Sequence, residues 1–75
     1  MFRQVQSLIS DYKNINARTI TMNSTLTLDL GLTSYDIIEV CAYLEDMLQI
    51  EMSDEVLSNL QTVGDLVIYL ESICT

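Results

Sequence analysis

The sequence predicts an all-α fold, a bundle of three longer helices and one short one, with a long loop between the first two. Three observations carry this expectation. Apolar side chains recur at helical spacing in three separate stretches, and hydroxyl and acid residues stand at positions that open helices. Of the 75 residues, 49% are apolar, enough for one lean core and too many for a disordered acidic tail. No proline, repeat or low-complexity run divides the chain, so residues 1–75 read as a single domain.

Each element has its own signal. Phe2, Val5, Leu8, Ile9 and Tyr12 form a helical stripe, which places the first helix over about residues 2–13, ending near Lys13 and Asn14. The second should run from Ser34 to Gln49, with Ile37, Val40, Cys41, Leu44 and Leu48 on its inner face. Thr33 and Asp36 have the spacing of a capping box, with Asp in place of the preferred Glu. Asp36 also suits the positive end of the helix dipole. Ser53 can cap a short helix that begins Asp54-Glu55-Val56-Leu57. Thr62 and Asp65 repeat the capping spacing before the last stripe, Val63, Leu66, Val67, Leu70 and Ile73.

The stretch from Thr19 to Leu32 follows a different rule. Ile20, Met22, Leu26, Leu28, Leu30 and Leu32 alternate with mostly polar residues, a period of two that normally marks a strand. A lone strand is not stable, and nothing else in the chain resembles a partner. The expectation is a long loop pinned to the core by its alternate leucines. Loops of that length are uncommon and often functional.

Charge narrows the function. Eleven acidic against three basic side chains leave a formal net charge of −8. Arg3, Lys13 and Arg18 all lie in the first quarter of the chain, and no base follows Arg18. Nucleic acids and anionic membrane surfaces are bound through Lys and Arg clusters, so neither is an expected partner. A protein with a basic patch is, because a surface of one sign steers a cationic partner. The sequence has no His, which removes the usual general base and metal ligand. No apolar run is long enough for a signal peptide or a spanning helix, and two cysteines are too few for a secreted disulfide framework. A monomeric cytoplasmic protein with free thiols is expected. Cys41 reads as a small buried hydrophobe, Cys74 has no evident role beyond adventitious disulfides, and Met22, Met47 and Met52 read as core filler. Glu51, Asp54 and Glu55 could gather a divalent cation, although a plain acidic face is the simpler reading.

The segment Asp29-Leu30-Gly31-Leu32-Thr33-Ser34-Tyr35-Asp36 concentrates the chemistry. Gly31 permits a sharp turn just before the second helix. Ser34 then falls in the first exposed turn, where free N–H groups and the dipole favour an anion such as a phosphate ester on its hydroxyl. By spacing alone, Thr33 and Ser34 also read simply as capping residues. Around this helix, Tyr35, Ile38 and Ala42 fall opposite the core stripe, where a solvated helix should be polar. Glu45 borders them on one flank, and Asp36, Glu39 and Asp46 on the other. An apolar strip with a charged rim has the layout of an interface.

Here the chain resembles the acyl carrier proteins, whose attachment motif reads roughly G-x-D-S-L-D at the start of the second helix. Gly31, Ser34 and Asp36 match it, and the acids Glu39, Glu45 and Asp46, the link Ile50-Glu51-Met52, Asp54-Glu55 and Thr62-Val63 continue the likeness. Thr33 stands where the family usually has Asp, and Tyr35 where it usually has Leu. These departures bear on which transferase recognises the site; they do not move the serine. The resemblance implies a four-helix carrier fold and a non-catalytic role. It implies a 4'-phosphopantetheine arm, moved from coenzyme A onto Ser34 by a phosphopantetheinyl transferase, that carries acyl intermediates in fatty-acid, polyketide or related biosynthesis. The second helix would face acyl-processing enzymes, with Tyr35, Ile38 and Ala42 in apolar contact and Asp36, Glu39, Glu45 and Asp46 paired to partner Arg and Lys. The rival readings are an aminoacyl or peptidyl carrier and an unmodified acidic adaptor.

Overall fold

In the computed structural model, α1 (Phe2–Lys13), α2 (Ser34–Leu48), α3 (Asp54–Asn59) and α4 (Val63–Cys74) follow one another, with a 3-10 turn at Ala17–Thr19 between the first two. The structure describes residues 1–74, and the Cys74 side chain lies outside that description. The radius of gyration is 11.1 Å, close to the roughly 11 Å that compact packing gives a chain of this length. α1 packs against both α4 and α2, and α3 lies on α2.

The helical stripes meet in one core, except that Ile73 near the end of α4 is exposed. Val5 and Ile9 from α1 join Val40, Cys41 and Leu44 from α2 and Val63, Leu66, Val67 and Leu70 from α4, all buried. Met52 closes the core under the link between α2 and α3. Helix starts follow the capping signals. Thr33 Oγ1 accepts the Asp36 N–H at 3.1 Å and Asp36 Oδ2 accepts the Thr33 N–H at 3.0 Å, a complete capping box. Thr62 and Asp65 make the same reciprocal pair at 3.1 Å, and Ser53 Oγ accepts the Val56 N–H at 3.3 Å. At its far end α2 stops at Leu48, one residue short of the expected boundary. Gln49 turns to the left-handed φ of 56° and returns its N–H to the Glu45 carbonyl.

The long segment before α2 is a loop, as expected, but only some of its alternate side chains hold it down. Ile20, Leu26, Leu30 and Leu32 are buried, whereas Leu28 is 87% exposed and Met22 is exposed as well. The cause is a tight turn. Asp29 and Leu30 both donate N–H bonds to the Thr25 carbonyl, while Thr25 N–H donates to Asp29 Oδ2 at 2.8 Å. A helix-like turn puts positions 26 and 30 on one side and 28 on the other, so the period of two breaks there. The extended part does find a partner, though not a strand. Thr25 and Thr62 form a single antiparallel bridge, flanked by Leu26 N–H to Gln61 O and Val63 N–H to Ser24 O, each 2.9 Å. Of the methionines expected to fill the core, only Met52 does so; Met22 and Met47 are exposed. The 3-10 turn had no apolar pattern to announce it and rests on the Asn16 side chain accepting the Arg18 N–H at 2.9 Å.

Candidate functional site

Ser34 is the first residue of α2, exposed, directly after the Thr33 cap. Gly31 sets up that position. Its φ of 70° is left-handed, a conformation that costs a residue with a Cβ, and it lets the chain turn from the buried Leu30 into the helix. The hydroxyl of Thr33 and the carboxylate of Asp36 are committed to the cap. The Ser34 hydroxyl has no hydrogen-bond partner among the described residues. The unpaired N–H groups of this first turn and the helix dipole make the place favourable to a phosphodiester.

Beside Ser34 runs a groove of about 430 Å³ between α2 and α3. Ile37, Ile38, Leu57 and Leu60 supply apolar walls, and Thr27, Asp54 and Ser58 line it together with Ser34. Ser34 therefore stands at the lip of an apolar cleft.

Tyr35, Ile38 and Ala42 are all exposed on the outer side of α2, the first two at 66% and 54%. The four carboxylates around them differ in what they do. Asp36 is held inward: its Oδ1 accepts the Tyr12 hydroxyl at 3.0 Å, and Lys13 Nζ lies 3.6 Å from its Oδ2. The backbone N–H of Thr33 beside it, followed by the Tyr12 hydroxyl, holds its carboxyl below the usual carboxylate range. Half-burial beside Asp36 pushes the Tyr12 phenol up to about 12, with the hydrogen bond to Asp36 as the next cause. Glu45 is half-buried, and its Oε2 accepts the Met52 N–H at 2.7 Å, anchoring the Ile50-Glu51-Met52 link to α2. Glu39 is half-buried beside Tyr35, and it raises that phenol's pKa, first through hydrogen bonding and then through its charge. Asp46 is exposed.

Two further apolar residues widen this face. Tyr43 and Met47, one helical turn apart, are 51% and 56% exposed on the side of α2 nearer α1. Leu28 projects from the loop before α2. Tyr43 and Met47 lie between the outer strip and the core stripe on the helical wheel, so spacing alone did not separate them from core. Cys41 is buried, and burial pushes its thiol up to about 12, so it stays an unreactive SH at neutral pH. Glu51, Asp54 and Glu55 do not converge: no group of three ligating side chains comes together among the described residues. No helix of the described residues is long and apolar enough to cross a membrane.

Comparison with known proteins gives a consistent result. The family described as the phosphopantetheine attachment site is matched over residues 3–70. The acyl carrier protein of Clostridium perfringens is 41% identical over 70 residues, covering 93% of this chain and 92% of the relative. The acyl carrier protein of Clostridium acetobutylicum is 39% identical over 72 residues, 96% of this chain and 94% of its own. That of Helicobacter acinonychis is 34% identical over 71 residues, or 95% and 91%.

Proposed function

The chain belongs to the acyl carrier proteins of the phosphopantetheine-attachment family, and on that premise we propose that Ser34 is the residue that accepts the arm. The protein is a carrier of acyl groups, served by a phosphopantetheinyl transferase and by acyl-processing enzymes. When attached, 4'-phosphopantetheine supplies the thiol that holds the acyl cargo as a thioester. One observation carries the assignment to Ser34. Its free hydroxyl opens α2 at the lip of the groove walled by Ile37, Ile38, Leu57 and Leu60. The chain contributes the nucleophilic oxygen, a rigid turn that holds it outward, and an apolar cleft that can shelter part of a bound acyl chain from water. Catalysis belongs to the enzymes it visits.

The docking face is the outer side of α2. Tyr35, Ile38 and Ala42 supply apolar contact, and Glu39 and Asp46 supply the charges most open to a partner's Arg and Lys. Asp36 and Glu45 contribute to the same negative field while also holding the fold together. Pairs at such a wet rim contribute about 0–1 kcal/mol each, so each visit is brief. The whole chain acts as one monomeric carrier domain, and the free buried Cys41 suits the reducing cytoplasm.

The test is a mass measurement. After incubation with coenzyme A, Mg²⁺ and a broad-specificity phosphopantetheinyl transferase, the intact protein should gain one phosphopantetheine, and Ser34→Ala should gain none. Loading that persists in Ser34→Ala would refute the assignment, as would no loading of the unaltered chain by several transferases.

A further inference from the structure

The turn that carries Ser34 is held from a different helix. Asp36 completes the capping box of α2 through Oδ2, and its other oxygen accepts the Tyr12 hydroxyl of α1 at 3.0 Å. Tyr12 is itself fixed along its length. Its ring meets Tyr43 edge-on, with centroids 6.5 Å apart and planes at 64°, and the residue is half-buried. Lys13, the next residue, brings its ammonium to 3.6 Å from Asp36 Oδ2. The C-terminal turn of α1 is thus tied to α2 at two points, the opening turn and a position two turns further on.

A helix N-terminus without outside support frays, and a carboxylate that caps it can rotate away. Ser34 is the first residue of that turn, so its oxygen moves with it. Group transfer is sensitive to misplacements of about 1 Å, far smaller than fraying allows. We propose that Tyr12 is a positioning residue for the loading of Ser34: through Asp36 it holds the first turn of α2 in the one geometry that presents the serine oxygen to the transferase. The inference rests on the reading of Ser34 as the acceptor. Tyr12 lies outside the strip of Tyr35, Ile38 and Ala42, so its hydroxyl serves the chemical step after docking and leaves docking itself unchanged.

Tyr12→Phe removes the hydroxyl and keeps the ring against Tyr43. Loading by one transferase would be followed at a temperature where every variant is fully folded by circular dichroism, with Tyr69→Phe on α4 as a control for loss of a phenol elsewhere. The expected result is a kcat for Tyr12→Phe lower by about ten-fold or more, the scale of one hydrogen bond to a charged group, at unchanged KM for the carrier. Tyr69→Phe should load at the unaltered rate. Asp36→Asn should also be slow, and the double variant Tyr12→Phe, Asp36→Asn no slower than Asp36→Asn alone, since the two residues act as one unit. An unaltered chain that loads, with Tyr12→Phe loading equally fast or losing only in KM, would overturn this inference and leave Ser34 as the acceptor. An unaltered chain that never loads would overturn both.

Discussion

Two glycines show how differently one residue type can matter. Gly31 has open space where a Cβ would go, and its constraint is conformational: φ is 70°. Gly64 has ordinary helical geometry, but a Cβ there would lie 2.8 Å from the Met22 carbonyl oxygen, which accepts the Gly64 N–H at 2.8 Å. Gly31→Ala should therefore cost about 1 kcal/mol, the strain of a left-handed residue with a Cβ. At Gly64 the gain in helix propensity from Ala, at most about 1 kcal/mol, opposes an overpacking cost of about 1–3 kcal/mol. The clash is with backbone, which cannot swing aside, so Gly64→Ala should be destabilising as well. Urea melts of the two variants check both signs. A Gly64→Ala protein more stable than the unaltered chain would show that the loop yields freely at Met22.

Capping controls the elements. Thr33/Asp36 and Thr62/Asp65 open α2 and α4, and the same reciprocity recurs at Thr25 and Asp29, where it closes the loop turn that throws Leu28 outward. Asp36 links elements as well as starting one, because it also takes the Tyr12 hydroxyl and lies beside Lys13. Its carboxyl is held below the ordinary value of 3.8 in the folded state. A depressed folded pKa contributes stability above the unfolded value and loses it as pH falls through the folded one. The unaltered protein should therefore lose stability relative to Asp36→Asn as pH falls below about 4. The difference between the two acid titrations isolates this residue from the other acids, whose protonation relieves repulsion. Parallel acid limbs for the two proteins would contradict the assignment. At the alkaline end the sign reverses. Tyr12 and Cys41, ordinarily near 10.0 and 9.0, are both pushed up to about 12, so the stability they contribute below those values is lost as pH rises toward 12.

Over the whole molecule, the charge is strongly one-sided. A net charge of −8 on 75 residues repels itself, and Lys13 to Asp36 is the one ion pair among the described residues within 4 Å. Moderate salt, and Mg²⁺ at lower concentration, should raise the melting temperature by screening that repulsion. The same salt should weaken partners. Charge reversal at Glu39 or Asp46, which leaves the internal bonds of Asp36 and Glu45 intact, should raise the KM of a loading enzyme by up to about five-fold at low salt. The difference should vanish near 0.5 M salt, where the Debye length is only about 4–5 Å. A melting temperature that falls on adding salt, or a KM unmoved by charge reversal, would remove the electrostatic account of stability or docking respectively.

Much of this was local and therefore legible along the chain. Helix positions follow from the apolar period, their starts from hydroxyl–acid spacing, and the turn before α2 from Gly31. These depend on residues within four positions of one another, where backbone geometry leaves few choices. What the tertiary structure decided involves residues far apart in sequence. Leu28 and Leu30 look alike in the alternating stretch, and only the turn closed by Asp29 sends one outward and the other into the core. Asp36 and Asp46 look alike as acids of α2, but packing of α1 gives the first to Tyr12 and leaves the second to solvent. Glu45 reads as rim until the chain returns at Met52 to claim its oxygen. The sequence by itself determined where the helices lie, the one-sided charge and that a serine opens the second helix. Which of the surrounding carboxylates remain free for partners was decided only by tertiary packing, because a carboxylate's availability depends on which donors the fold brings to it.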